Sequence, residues 1–274
     1  MKIKHRIQDH IADTLFIPLF MKHQQNNEKE SFYKDQYASD MVRKIDYNFK
    51  KYENAKRSSV GVAIRSKYFD ELTDDFIKTH KNPVIVILGC GLDTRFCRLN
   101  DKESKTAIFY ELDLDEVIEL RQKLLPQTDN NIYIKGSMFD TGWMDKIKNK
   151  HKNAQFLFII EGVLMYFDQK KIKEFFVNLS EKFRNSKVIF DVVSSWMCKN
   201  SHKHDSIKFS KAKFIYGCDN DNEMECWSSR LKLESTKSYI DFKEWKRAGV
   251  LSCWAMKIIP VLKKSSRLLC YRID

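Results

Sequence analysis

"VIVILGCGLDTRF", residues Val84 to Phe96, joins a run of five aliphatic residues to a turn that contains Gly89 and Gly91. Such a short, continuous apolar run is typical of a strand buried on both faces of a parallel sheet. Glycine at the end of the strand permits a tight turn and close approach of a ligand, because no Cβ intrudes. The full dinucleotide fingerprint needs a third glycine, where this chain has Thr94. The turn therefore suits a nucleoside without phosphates.

Strands alternate with helices after this turn. Helices are predicted over residues 114–126 and 168–183, which follow the second and fourth strands. The alternation implies right-handed crossovers and an α/β fold, with a mostly parallel seven-stranded sheet and helices on both of its faces. The predicted strands lie within residues 84–89, 107–113, 131–138, 154–162, 187–194, 231–240 and 266–274.

The chain divides into two predicted parts. Residues 1–80 form a helical N-terminal extension that covers the active site, with helical spacing over 35–52 and 61–80 and a polar loop at 24–31. Residues 81–274 form the sheet domain. Within it, the polar segment at about 196–230 is predicted to be a cap insert over the sheet edge, and a single helix is predicted over 242–259.

Composition restricts the class of protein. The 274 residues are 43% hydrophobic, which is enough for a large core, and the formal net charge of +12 raises nucleic-acid binding as an alternative. The lysines are spread along the chain without interleaved aromatic residues, so nucleic acid is not the expected partner. Seven cysteines without a Cys-x-x-Cys pair favour a cytoplasmic protein. Acidic residues interrupt the apolar runs, so we expect no signal peptide, no membrane span and no membrane partner.

Asp113 ends the second predicted strand, at the edge where open parallel sheets bind ligands. It lies 22 residues after Gly91, where a carboxylate is expected to accept hydrogen bonds from both hydroxyls of a ribose. Glu111 has the same parity along the strand and competes for this role. A third interpretation makes Asp113 an acid at the N-terminus of the next helix, where it suits the helix dipole.

The third and fourth strands end in further candidate ligand groups. After the third strand, Met138 can pack on an adenine ring beside Ser137, and Asp140 can accept from its exocyclic amine; a helix cap is the alternative. Glu161 is a charge in an otherwise apolar run at the end of the fourth strand. Because an unpaired buried carboxylate is costly, Glu161 should face a cleft that takes a permanent cation, or pair with an arginine of the helical extension.

Four successive strand ends thus offer a glycine turn, a ribose acceptor, adenine partners and a carboxylate for a positive centre. Together they describe S-adenosyl-L-methionine, an adenosine without phosphates that carries a sulfonium and an amino-acid tail. This is the cofactor that the residues predict.

Four segments of the chain resemble the leucine carboxyl methyltransferase family, within a branch of O-methyltransferases similar to the tetracenomycin polyketide synthesis enzymes. The resemblance implies a Rossmann-like class I methyltransferase fold that uses S-adenosylmethionine. It covers residues 10 to 194 well and is weaker beyond. The segments are GVAIRSKYFD (61–70), VIVILGCGLDTRFCRL (84–99), YELDLDEVIELRQKLLP (110–126) and IIEGVLMYF (159–167).

The resemblance also implies roles for individual residues. Arg65 matches the arginine that pairs with the methionine carboxylate of the cofactor. Gly89, Gly91, Asp113 and Glu161 match positions that bind the cofactor. The other positions assigned to the cofactor are Cys90, which stands where alanine is common, Ser137 and Met138.

A catalytic base is less clearly marked. Methyl transfer is a direct displacement in which a hydroxyl acceptor benefits from a base, whereas a carboxylate acceptor needs none. His202 and His204 lie in the predicted cap, where the acceptor is expected, and Tyr166 in EGVLMY is a further candidate; the alternative is that both histidines are solvated. Zinc held by these histidines with Cys198 and Cys218 has suitable ligand types, but the spacing matches no standard site and no metal is expected.

The expected function is a S-adenosylmethionine-dependent O-methyltransferase that acts on a hydroxyl or carboxylate of a small molecule. Two alternatives stay open at this point. One is a protein C-terminal carboxyl methyltransferase, which needs an open groove for a peptide tail. The other is a S-adenosylmethionine-binding, nucleic-acid-associated protein without transfer activity, which the net charge suggests.

The sequence assignments predict that Asp113→Ala and Glu161→Ala each abolish cofactor binding without unfolding the chain. Titration calorimetry with S-adenosylhomocysteine tests this directly. Unchanged affinity in both variants would remove the site assignment.

Overall fold

A seven-stranded sheet lies at the centre of the protein, seen here in a computed structural model that describes residues 2–100 and 107–274. The strands are β1 (Pro83–Leu88), β2 (Ile108–Asp113), β3 (Asn131–Lys135), β4 (Gln155–Ile160), β5 (Ser186–Val193), β6 (Leu231–Ser238) and β7 (Ser266–Ile273). They are arranged in the order β3-β2-β1-β4-β5-β7-β6. The strands β1 to β5 are parallel, and β7 runs antiparallel between β5 and β6. The predicted α/β fold with a mostly parallel sheet is confirmed.

Helices cover both faces of this sheet. The α-helices are α1 (Phe16–Asn27), α2 (Gln36–Lys44), α3 (Lys56–Thr79), α4 (Arg95–Asn100), α5 (Asp115–Leu124), α6 (Gly142–Lys150), α7 (Gln169–Lys182), α8 (Ser195–Lys199), α9 (Val250–Ile258) and α10 (Pro260–Lys263). Short 3-10 helices lie at Ala12–Leu15, Phe49–Tyr52, Leu164–Tyr166, Ser201–Lys203, Ile207–Phe209, Glu223–Cys226, Tyr239–Asp241 and Lys243–Ala248. None of the helices described is long and apolar enough to cross a bilayer.

Strand β1 shows why the sheet is buried on both faces. All six of its residues are buried. Val84, Val86 and Leu88 belong to a core cluster with residues of α6 and α7, whereas Ile85 and Ile87 belong to a second cluster with residues of α3. Alternate side chains of a strand point to opposite faces, so an uninterrupted apolar run needs a helical layer on each side.

The sheet order reverses between β1 and β4, which fixes where a ligand can bind. The connection from β1 leads to β2 on one side, and the connection from β4 leads to β5 on the other, so a crevice opens at the carboxyl ends of β1 and β4. The register pairs Leu88 with Leu112 and Ile87 with Ile159. The residues that follow these strands are therefore brought to one edge.

Two sequence predictions for the N-terminal part are wrong in their boundaries. The predicted loop at 24–31 is helical as far as Asn27, because its polar side chains are bound by neighbours: Gln25 Nε2 donates to Ser59 Oγ at 3.1 Å. The predicted helix over 35–52 ends at Lys44. After Lys44 the backbone bonds to Ile3 instead of continuing the helix. Ile3 N donates to Lys44 O at 2.7 Å, and Ile3 O accepts from Asp46 N at 2.9 Å.

The predicted single helix over 242–259 is also wrong. Gly249 has a φ of 121°, which right-handed helical backbone does not adopt, and it separates a 3-10 helix from α9. The proposed division of the chain at residue 80 stays a prediction.

The segment predicted as a cap is fastened to the N-terminal part through Asp205. Its Oδ2 accepts from the backbone N–H of Arg57 at 3.0 Å and of Ser58 at 3.3 Å, in the first turn of α3. Ser58 Oγ also donates to Asp205 Oδ1. The first N–H groups of a helix lack partners within the helix, so a carboxylate from a distant segment caps α3 here.

We expect Asp205→Ala to lower the free energy of unfolding by about 1–2 kcal/mol, because it removes the acceptor for these N–H groups. Asp205→Asn keeps one oxygen in place and should cost less. Urea unfolding of the three proteins measures the difference. Equal stability of the wild type and Asp205→Ala would contradict a capping role.

Candidate functional site

A cavity of about 770 Å³ opens at the carboxyl ends of β1, β2 and β4. Its wall combines the strand ends with residues of the N-terminal extension, the segment after β5 and helix α9. The eight residues that the sequence assigns to the cofactor all line it: Arg65, Gly89, Cys90, Gly91, Asp113, Ser137, Met138 and Glu161.

The turn after β1 requires its glycines for two separate reasons. Gly89 and Gly91 have φ angles of 65° and 49°, which side chains other than glycine rarely adopt. A Cβ on Gly89 would also lie 2.6 Å from Val163 Cγ2. The absence of a side chain at Gly89 thus makes room for Val163, and both glycines line the cavity. Thr94, which replaces the third glycine of the dinucleotide fingerprint, is fully buried and donates to Asp35 at 2.6 Å.

Asp113 borders the cavity and also holds the glycine turn. Its Oδ2 accepts from Gly91 N at 2.7 Å, and its Oδ1 accepts from Leu114 N at 2.8 Å. Burial raises the pKa of the carboxyl to about 6, against the lowering effect of these two N–H groups. The competitor Glu111 is fully buried and accepts from Arg121 Nε at 2.9 Å, so it does not line the cavity.

Glu161 is paired, as the second of its two sequence interpretations expects. Its Oε1 accepts from Arg65 Nε at 3.1 Å and from Ser66 Oγ at 2.9 Å, and its Oε2 accepts from Arg95 Nη2 at 2.6 Å. Although burial opposes its charge, Arg65 and Arg95 lower the pKa of Glu161 to about 2. The carboxylate lines the cavity while it joins α3, the turn after β1 and β4.

Arg65 also binds Asp191 in β5. Its Nη1 donates to Asp191 Oδ2 at 2.8 Å. The other oxygen of Asp191 accepts from Gly162 N at 2.6 Å. A Cβ on Gly162, whose φ is 72°, would lie 3.1 Å from Arg65 Nη2. That nitrogen has no hydrogen-bond partner within the described residues, so it can donate to a ligand carboxylate.

These ion pairs belong to a larger buried network that carries one surplus negative charge. Four cationic groups and five carboxylates are connected through contacts of 3.2 Å or less. Asp93 Oδ2 is buried and makes no hydrogen bond with the residues described, although it lies 2.9 Å from Arg95 Nη1. The members are Lys22, Arg65, Arg95 and Arg98 with Asp35, Asp70, Asp93, Glu161 and Asp191.

The expected adenine partners are only partly brought together. Met138 is buried in the core, and it lines the cavity beside Ser137. Asp140 is exposed and is absent from the cavity wall. It does not cap α6 either, since Thr141 occupies the N-cap position without a side-chain hydrogen bond.

The three candidate catalytic residues separate in the structure. His202 is exposed and does not line the cavity, so the solvated alternative describes it. His204 lines the cavity, with its Nδ1 3.2 Å from Ser206 Oγ, and burial lowers its pKa. Tyr166 is buried in the cavity wall, and burial raises its pKa to about 12. Within the described chain, no group of three or more His, Cys, Asp or Glu side chains is placed to hold a metal ion.

Sequence reasoning missed several residues of the network. Asp191 is an acid inside the β-branched strand β5, the same signal that singled out Glu161, and it was not used. Asp93 and Arg95 follow the glycine turn in the LDTR motif. Lys22 carries no signal, because only the fold brings this helix residue to 2.7 Å from Asp93.

These residues fit the chemistry of S-adenosylmethionine. Its ammonium, sulfonium and carboxylate sum to one positive charge, which matches the surplus carboxylate of the network. Arg65 Nη2 is a free donor for the amino-acid tail, as far as the described residues show, and Asp93 and Glu161 line the same cavity as carboxylates. The open glycine turn and Asp113 suit the nucleoside.

The fold and the arrangement of this edge are those of a class I methyltransferase. A sequence model of the leucine carboxyl methyltransferase family matches residues 5–180, well over half of the chain. The chain belongs to the leucine carboxyl methyltransferase family, which uses S-adenosylmethionine, and it is a S-adenosylmethionine-dependent methyltransferase.

Known proteins agree with this placement. The tetracenomycin polyketide synthesis O-methyltransferase of Streptomyces glaucescens is 26% identical over 264 residues, which cover 95% of this chain and 96% of that protein. A DUF574 family protein of Streptomyces avermitilis is similar in structure, with a TM-score of 0.60, 11% identity and coverage of 95% and 97%. Geranyl diphosphate C-methyltransferase of Streptomyces coelicolor A3(2), solved with S-adenosyl-L-homocysteine, has a TM-score of 0.51, 10% identity and coverage of 94% and 98%. The two structures show the shared fold alone.

The network changes one expectation drawn from the sequence. Glu161→Ala would leave Arg65 and Arg95 without their shared carboxylate in a buried site, which costs about 3–5 kcal/mol. We therefore expect this variant to lose stability together with cofactor affinity. Asp113→Ala removes a half-buried carboxylate without an ion-pair partner and remains the cleaner variant.

We expect affinity for S-adenosylhomocysteine to fall as the pH drops through about 6. The carboxyl of Asp113 has a pKa of about 6, and its protonation removes acceptor capacity for the ribose diol. Affinity should be level above pH 7 and should decrease by up to about tenfold per pH unit below the pKa. Titration calorimetry between pH 5 and pH 8 measures this profile.

Two variants separate Asp113 from other groups in this experiment. Asp113→Asn should bind more weakly at pH 8 and lose the pH dependence. His204→Gln removes the imidazole in the cavity wall and should keep the pH dependence. A flat profile in the wild type would show that no carboxyl with a pKa of about 6 contributes to ligand binding.

Proposed function

We propose that the protein is an O-methyltransferase that transfers a methyl group to a hydroxyl or carboxylate of a small, largely apolar molecule. The observation that carries this proposal is the composition of the cavity wall that the N-terminal extension and the segment after β5 contribute. There the cavity is bordered by Ile11, Leu15, Pro18, Met197 and Phe214. Pockets for small organic ligands are mostly apolar with a few polar groups, and about 300–1,000 Å³ is their usual size.

The position of the N-terminal extension favours a small acceptor over a macromolecule. Residues from Asp9 to Lys22 form part of the cavity wall, and Asp205 ties the segment after β5 to α3 on another side. We propose residues 1–80 as a cover of the acceptor site, residues 81–274 as the cofactor domain and residues 196–230 as its cap. The 26% identity to an O-methyltransferase of polyketide synthesis supports oxygen as the acceptor atom.

The residues of the chain position the reactants. When bound, S-adenosylmethionine supplies a methyl group on a sulfonium, whose departure as a neutral thioether needs no acid. The rigid ion pairs of Arg65 and Glu161 and the fixed glycine turn hold their side of the cavity in one geometry. Correct orientation of two reactants is worth about 7–11 kcal/mol.

His204 is the residue that we propose as general base for a hydroxyl acceptor. Burial keeps its pKa below the ordinary value, so the imidazole is neutral near pH 7 and can take a proton. Asp205 Oδ1 lies 3.8 Å from Nδ1 and would favour the protonated imidazole that forms. Tyr166 keeps its proton, because its pKa is about 12, and is suited to donate a hydrogen bond to the acceptor.

The test measures transfer of a labelled methyl group from S-adenosylmethionine to three acceptor classes: phenolic and carboxylic small molecules, peptides that end in leucine, and transfer RNA. We expect label only in the small molecules. For a phenol, His204→Gln should lower kcat by about 10²–10⁴-fold and leave the affinity for S-adenosylhomocysteine unchanged.

His202→Gln is the matched control, since this neighbouring histidine is exposed and should keep full activity. Label in the peptides would replace the proposal with the protein carboxyl methyltransferase, and label in the RNA with a nucleic-acid enzyme. Full phenol methylation by His204→Gln would refute the role of the base.

A further inference from the structure

Helix α9 and the residues after it expose an unusual apolar surface. Of ten exposed large hydrophobic residues in the described chain, six lie within residues 250–261. Leu251 is 83% exposed and Trp254 is 62% exposed. The α9 surface consists of Val250, Leu251, Trp254, Ile258, Ile259 and Val261.

The orientation of this surface is fixed by the other side of the helix. Cys253 and Met256 are buried in the core cluster that covers one sheet face, and Ser252, Ala255 and Met256 line the cavity. Residues of the two sets alternate at helical spacing. The α9 surface therefore faces away from the protein while the same helix closes one side of the cavity.

Positive charge surrounds the α9 surface. Lys246, Lys257, Lys263 and Lys264 are exposed, and none forms an ion pair with a described residue. The segment from 245 to 264 contains no acidic residue. Arg247 at the edge approaches Glu30, whose carboxylate lies 4.0 Å away.

The combination of exposed apolar residues with surrounding lysines favours one kind of partner for the α9 surface over another. In a two-fold dimer the same patch would meet itself, so unpaired lysines would face lysines. A bilayer with anionic lipids offers apolar chains and negative headgroups at adjacent depths. Exposed Trp and Leu with flanking Lys are the residues that amphipathic helices use at such an interface.

We propose that the α9 surface binds the anionic face of a lipid bilayer, with Leu251 and Trp254 in the headgroup region and the four lysines on acidic headgroups. The contact is peripheral and needs no membrane-spanning helix. A peripheral contact of this kind differs from the sequence expectation of no membrane partner. That expectation was based on the absence of apolar runs that could span a membrane. The proposal does not depend on which acceptor is methylated.

The experiment is co-sedimentation of the full chain with two kinds of vesicle, one of phosphatidylcholine and one of phosphatidylcholine and phosphatidylglycerol in equal amounts. We expect binding to the anionic vesicles alone, weakened by added salt. Brominated lipids then test the depth of Trp254, because they quench tryptophan fluorescence inside the bilayer. The fluorescence of Trp254 is identified as the part that Trp254→Phe loses, and its quenching would place this residue in the bilayer.

Two sets of substitutions test the apolar and the electrostatic parts of the contact separately. Leu251→Ser with Trp254→Ser should lower binding by about 10-fold or more. Ile215→Ser is the control, because Ile215 is a large hydrophobic residue that is 63% exposed outside the α9 surface. Charge reversal of Lys257, Lys263 and Lys264 to Glu should lower binding by more than about 100-fold. Its control reverses Lys170, Lys171 and Lys173, exposed on α7, and produces the same change of net charge.

Melting temperatures establish that each variant is folded before its binding is compared. Absence of binding to anionic vesicles, equal binding to both vesicles, or unchanged binding in both sets would overturn the proposal. A wild-type dimer that Leu251→Ser with Trp254→Ser converts to a monomer, without vesicle binding, would assign the surface to self-association instead.

Discussion

The buried pairing of Glu161 with Arg65 and Arg95 is the constraint on which the rest of this structure depends. A carboxylate at the end of β4 is removed from water, and burial without a partner would be costly. Its partners come from α3 and from the turn after β1, and Arg65 continues to Asp191 in β5. All of these ion pairs form only when β4, α3, β5 and the segment after β1 lie in one relative position. The requirement to pair buried charge thus sets the geometry of the cavity floor.

The same network explains how the site can be rigid and still complementary to a cation. Fixed dipoles and charges that are already oriented need not reorganise when a ligand arrives, which is the basis of electrostatic stabilisation in active sites. One surplus carboxylate in this network favours a ligand that carries net positive charge. Loss of the methyl group removes that charge from the cofactor.

The cavity is assembled from parts of the chain that serve different needs. The strand ends supply charge and backbone, and the N-terminal extension, the segment after β5 and α9 add apolar residues to the wall. Helix α9 has a second, exposed apolar side, so the element that closes the cavity also forms the most apolar surface of the described chain. In this protein the charged edge and much of the apolar wall are thus contributed by different elements.

Local pattern was sufficient to predict the seven strands, the carboxyl edge and the glycine turn, because a buried strand and a positive φ impose requirements on the residues themselves. It identified Asp113 and Glu161 as candidate site residues, since a charge at the end of an apolar run signals a special environment. Pattern could not show that Glu111 turns to Arg121, that Ile3 ends α2, or that Gly249 divides a helix that its neighbours favour. Nor could it join Lys22 to Asp93, which are 71 residues apart in the chain.

The sequence by itself determined the class of fold and the chemistry of each strand end. Tertiary structure alone decided which charges pair and which remain for a ligand, because pairing depends on distances between residues that are remote along the chain.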